Sequence, residues 1–205
     1  EMPAPDASMA GNPFMKKSTL QYQAPEFDKS KDSHFKPAFE YGIKVQLAEI
    51  ESIANNSATP TFENTILALE NSGEVLKRAQ TVFYNLTGSN TNPELQKIEV
   101  EYAPIFAGLS DKIYLNEKLF ARIKAIKTAN LGSEEKRVLE LYTTNFEIAG
   151  ANLTAENKVK VKKINEELAT LSTQFSNKLL DSRKNGALHI TDVKELDGLS
   201  ADEIA

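Results

Sequence analysis

The chain has 205 residues, of which 40% are hydrophobic and 26% charged, and its formal net charge is −5. That size supports one substantial core or two small domains sharing an interface, and the composition is ordinary for a soluble globular protein. The mild acidic balance, with no Lys/Arg run longer than two residues, argues against nucleic-acid binding, which needs a basic face. The absence of cysteine excludes disulfides, thiolate zinc sites and cysteine nucleophiles.

Residues 1–25 contain four of the eight prolines and no periodicity. They predict an extended N-terminal arm, with Phe14, Leu20 and Tyr22 as points of attachment to a core. From Ser33 the pattern turns helical: Phe39, Ile43, Leu47, Ile50 and Ala54 share one face, and Pro37 falls in the first turn, where its missing N–H costs nothing. Thr61 is the capping residue of a second helix with Phe62, Ile66, Leu69, Leu76, Phe83 and Leu86 on its stripe. The phase carries through Asn71, Ser72 and Gly73, so one long helix is favoured over two. Asn92 and Pro93 supply the cap and first position of a third helix. Its stripe is Leu95, Ile98, Tyr102, Ile105, Leu109 and Ile113, and Pro104 interrupts its interior.

Asn116 caps a short fourth helix through Leu119, Ile123 and Ile126. Ser133 caps a fifth through Leu139, Tyr142, Phe146 and Ala149, closed by Gly150. Thr154 opens the longest clean pattern, with Val161, Ile164, Leu168, Leu171, Phe175 and Leu179 on one stripe. Leu168 and Phe175 are expected in an inter-helix seam. The fold class is therefore all-α, an antiparallel bundle or array of about six helices.

Leu188–Val193 departs from this pattern and predicts a lone C-terminal strand, which has no pairing partner in the chain. Ser200 and Glu203 then form the S-x-x-E capping box of a helix. Ser200–Ala205 is too short to hold that helix without tertiary support. The division that follows is 1–25 as arm, 26–185 as helical domain, and 186–205 as a strand and the start of a helix belonging to a longer protein.

The residues offer little chemistry. The two histidines, His34 and His189, stand far apart and outside any H-E-x-x-H pattern, so each is read as a surface or packing residue. Adjacent acids such as Glu134–Glu135 and Glu166–Glu167 point in different directions on a helix and do not converge on a substrate. The aromatic stripe Phe39, Phe62, Phe83, Phe146 and Phe175 is read as core. No catalytic and no metal-binding residue is assigned, and no substrate-contacting residue can be picked out.

Five phrases in order carry a resemblance: "NPFMKKSTLQYQAPEFDKSKDSHFKPAFEYGI", "PTFENTILALENSGEVLKRAQTVFYNLTGSNTNPELQ", "SDKIYLNEKLFARI", "AGANLTAENKVKVKKINEELATLSTQFSNKLL" and "ELDGLSADEIA". Together they run from about Asn12 to the last residue. They resemble the N-terminal region of the thimet oligopeptidase and oligopeptidase A group of zinc metallopeptidases, in its peptidyl-dipeptidase branch. The resemblance implies a larger, mostly helical enzyme with a deep channel between two halves, releasing dipeptides from the C-termini of short peptides. It places the zinc, its H-E-x-x-H helix and a downstream glutamate in the C-terminal half. No catalytic position of the family has a counterpart here, and these helices would build one wall of the channel.

The implied partners are the C-terminal catalytic half of the same parent chain and short peptides, with no nucleic acid, no membrane span and a monomeric state. The implied cofactor is zinc, in the parent and not in these residues. A bacterial periplasm is favoured over the cytoplasm by the non-methionine start. The alternative is a stand-alone helical binding or scaffold module without catalysis.

Overall fold

The computed structural model describes residues 3–5 and 7–204, and among them the architecture is all-α with no strand. The long helices are α1 (Phe35–Ala54), α3 (Glu74–Ser89), α4 (Pro93–Tyr114), α6 (Ser133–Ala149) and α7 (Ala155–Asn185). Between them lie the short α2 (Ala68–Glu70), entered through a π-helical stretch Phe62–Leu67, and α5 (Glu117–Lys124).

Helix starts follow local hydrogen bonding closely. Thr61 Oγ1 accepts from Asn64 N–H at 3.2 Å while Asn64 Oδ1 accepts from Thr61 N–H at 2.9 Å, a reciprocal cap with asparagine in the third position. Asn92 and Asn116 accept from Leu95 and Leu119 N–H at 2.9 and 3.0 Å, so both expected caps form. Gly150, in the left-handed region at φ 104°, closes α6. At the start of α6 the cap moves by one residue: Ser133 is the first helical position, and the N–H of Gly132 is satisfied by Glu135 Oε2 at 2.7 Å.

The long second helix does not form. The chain turns at Asn71–Gly73, where Ser72 Oγ donates to the Leu69 carbonyl at 2.7 Å and Gly73 takes φ 73°. Glu49 Oε2 on α1 accepts from the Gly73 N–H at 2.7 Å, which locks the break to a neighbouring helix. Ile66, Leu69, Leu76 and Phe83 are nonetheless all buried. Their spacing survives because Leu69 and Leu76 are seven residues apart on either side of the turn.

Two apolar clusters share α1. One end of α1 joins α3, α4 and the arm around Phe35, Phe39, Phe83 and Tyr102. Phe39 meets Phe83 edge-on at 5.2 Å and Phe106 at 5.0 Å. The other end, at Ile50, Ile53 and Ala54, joins Ile66, Leu119, Ile123 and Phe146 of the segments that follow. Gly42 lets α1 and α3 touch: a Cβ there would lie 2.8 Å from Leu76 Cα. The arm attaches through Phe14, stacked on Phe35 at 5.2 Å, and through the buried Met9. Leu20 and Tyr22, expected as anchors, are exposed, because short 3-10 turns carry residues 21–29 over the surface.

Four further expectations are corrected. Ile105 is exposed although the rest of its stripe on α4 is buried or partly buried. Residues 187–192 take no regular structure, since no second strand offers its backbone groups to Leu188–Val193. Ala201–Ile204 does form one helical turn, α8, supported by Glu203 Oε2 accepting from both the N–H and the hydroxyl of Ser200. The largest departure is α7, whose apolar stripe is exposed, Leu168 at 60% and Phe175 at 68%.

Candidate functional site

The histidines stay apart. His34 sits at the entry to α1, its Nδ1 accepting from Lys31 N–H at 3.2 Å and its carbonyl accepting from Asn12 Nδ2 at 2.9 Å. His189 is exposed beyond α7. Among the described residues no group of three or more His, Asp or Glu side chains comes together. The donors present therefore do not fit a zinc centre, which needs three converging ligands and an open position. Glu135 is committed to the Gly132 amide, and Glu166 and Glu167 are exposed on α7.

Charge is instead used to hold the helices together. Arg122 is buried on the inner face of α5, between Leu119 and Ile123. Its Nη1 donates to the carbonyls of Asn56 and Ala58, and its Nη2 donates to Asn64 Oδ1 at 2.9 Å. One guanidinium thereby fastens the loop that leads into the Thr61 cap. Lys158 at the start of α7 is also buried and donates to Glu117 Oε1 on α5 at 2.9 Å. That hydrogen bond holds the Glu117 carboxyl below the usual range. Asp111 on α4 accepts from Asn165 Nδ2 on α7 at 2.6 Å.

Three more shifted groups belong to packing. Burial pushes the Glu99 carboxyl above its usual range, and pushes the Tyr102 hydroxyl up to about 12 with Glu40 adding to the effect. Burial and a 2.7 Å hydrogen bond to Glu70 raise Tyr142. A groove of about 500 Å³ runs between the arm and α3. Two of its cations are engaged: Lys17 Nζ lies 3.0 Å from Glu74 Oε1, and Arg78 Nε donates to the Phe14 carbonyl at 3.1 Å.

Sequence reasoning assigned no site residue, and it passed over Arg122, Asp111 and Lys158. Arg122 did leave a signal, since it falls three residues after Leu119 and just before Ile123, on the apolar stripe of α5. A charged residue in such a place needs buried polar partners.

The most unusual surface is the outer side of α7. Val161, Asn165, Ala169 and Thr173 are its more sheltered positions. The neighbourhoods Asp111–Asn165 and Gly108–Glu166 show α7 running antiparallel along α4. Ile164, Leu168, Leu171, Phe175 and Leu179 lie round the helix from that contact and are 44–68% exposed. A row of five large apolar side chains in water marks a surface built to meet something.

No family profile matches the chain. Individual proteins do. The chain is 44% identical over 198 residues to the dipeptidyl carboxypeptidase of Escherichia coli, covering 95% of this chain and 29% of that protein. It is 42% identical over 200 residues to the dipeptidyl carboxypeptidase of Salmonella typhimurium, again 29% of the relative. Oligopeptidase A of Salmonella typhimurium is 25% identical over 188 residues, with 28% of its length covered. The chain thus spans somewhat under a third of these relatives. It matches the N-terminal region of dipeptidyl carboxypeptidases, with the oligopeptidases A as more distant relatives.

Proposed function

We propose that these 205 residues form the N-terminal helical part of a larger zinc-dependent peptidase that releases dipeptides from the C-termini of short peptides. The observation that carries this reading is the 42–44% identity to dipeptidyl carboxypeptidases over 95–96% of this chain. The buried charges here tie helices and loops to one another, and the donor set does not fit zinc. Zinc and the reacting groups would accordingly be held by the part of the parent that this chain does not include. The contribution of these helices is shape: two clusters sharing α1 make a stiff wall, and such a wall beside a catalytic half limits substrates to unfolded oligopeptides.

The test is made on the whole parent polypeptide. It should shorten an oligopeptide by successive C-terminal pairs of residues, read by mass spectrometry, stop on chelation, and leave the same segment intact inside a folded protein. An inactive parent would return the alternative of a helical scaffold, and cleavage of the folded protein would overturn the wall.

A further inference from the structure

Resting on that reading of the chain as part of a longer polypeptide, we infer that the outer face of α7 is the docking surface for the portion of the parent that these residues do not include. Ile164, Leu168, Leu171, Phe175 and Leu179 repeat at steps of four, three, four and four, the period of one helical face. Each is between 44% and 68% exposed, although the same spacing elsewhere in this chain produces burial. The helix is 31 residues long, and its more sheltered side carries Val161, Asn165, Ala169 and Thr173. Most of the large apolar side chains of α7 therefore lie outside its sheltered side, and packing against α4 does not cover them.

Two observations identify the occupant. The relatives carry this region as less than a third of their length, so more than two-thirds of such a polypeptide lies outside these residues. Further apolar side chains are exposed in the segment that follows α7, Leu188 at 85% and Val193 at 72%. A surface joined covalently to the rest of its own polypeptide meets it at an effective concentration that a free second copy does not match.

The absence of cysteine gives a direct probe. Leu168→Cys is made in the 205-residue chain and in the full parent, and the modification rate of that thiol by a maleimide, located by peptide mass mapping, is divided by its rate in the unfolded protein. Phe175→Cys provides a second, independent site. Both thiols should react freely in the 205-residue chain and at least about ten-fold more slowly in the folded parent. Equal rates in the two proteins would overturn the inference, and in a parent that still releases dipeptides they would do so without touching the proposed function. Protection in the 205-residue chain that grows with its concentration would assign the face to a second copy and equally overturn it. Protection in a parent without peptidase activity would support the docking face while removing the proposed function.

Discussion

Glycine in a helix interior ordinarily costs roughly 1 kcal/mol against alanine, so Gly42→Ala on α1 would be expected to stabilise the chain. The structure reverses the sign. A Cβ at Gly42 would lie 2.8 Å from Leu76 Cα and N and 2.9 Å from Leu76 Cβ, where ordinary contact begins at 3.4 Å. The obstacle is main chain of α3, which cannot swing aside, so α1 and α3 must part by several tenths of an ångström. Overpacking of this kind costs about 1–3 kcal/mol, and a backbone obstacle places it near the upper end. Less the helix-propensity gain, the net loss is about 2 kcal/mol, a fall of roughly 4–8 °C in Tm for a chain of this size. Gly108→Ala on α4 is the matched control, since its nearest neighbour would be Glu166 Oε1 at 3.9 Å. It should hold or raise Tm. Thermal unfolding followed by circular dichroism decides the matter, and a Gly42→Ala protein as stable as Gly108→Ala would refute the close approach of α1 and α3.

Three further outcomes are expected. Arg122→Met should lower stability by about 3 kcal/mol, because it removes the donor shared by the carbonyls of Asn56 and Ala58; an unchanged denaturant midpoint would contradict the clamp. Phe146→Ala, at a side chain with no exposure, should cost about 3–5 kcal/mol, whereas Phe175→Ala, at 68% exposed, should stay within about 0.5 kcal/mol; equal losses would mean that α7 is covered within this chain. Lys158 lowers the pKa of Glu117, so the stability from this pair is complete above pH 4.5 and is lost as pH falls through the depressed native value. Glu117→Gln should therefore flatten stability against pH in that acid range, and a slope identical to that of the unsubstituted 205-residue chain would dismiss the pair.

Caps and stripes made most of this fold legible in the sequence. Thr61, Asn92, Asn116 and Thr154 act locally, through hydrogen bonds three residues away, so their effect can be read without tertiary knowledge. The break at Asn71–Gly73 was misread because periodicity persists across it, and the Glu49 carboxylate that holds it comes from 24 residues upstream. Leu20 and Tyr22 were misread as anchors because apolar side chains alone do not say which of them reach the core. On α7 the period was right and the burial wrong: a stripe announces that a face is to be covered and says nothing of what covers it. The candidate site was the least legible part, since clamps such as Arg122 bind oxygens 57 to 66 residues away in the chain.

The central claim is that this chain supplies architecture while the chemistry lies in the rest of the parent. It is tested most directly by incubating the purified 205-residue chain with zinc and an oligopeptide, dialysing, and measuring metal content and peptide masses on the same sample. The account predicts less than stoichiometric zinc and an unshortened peptide. One zinc retained per chain, or a product shorter by two C-terminal residues, would contradict it.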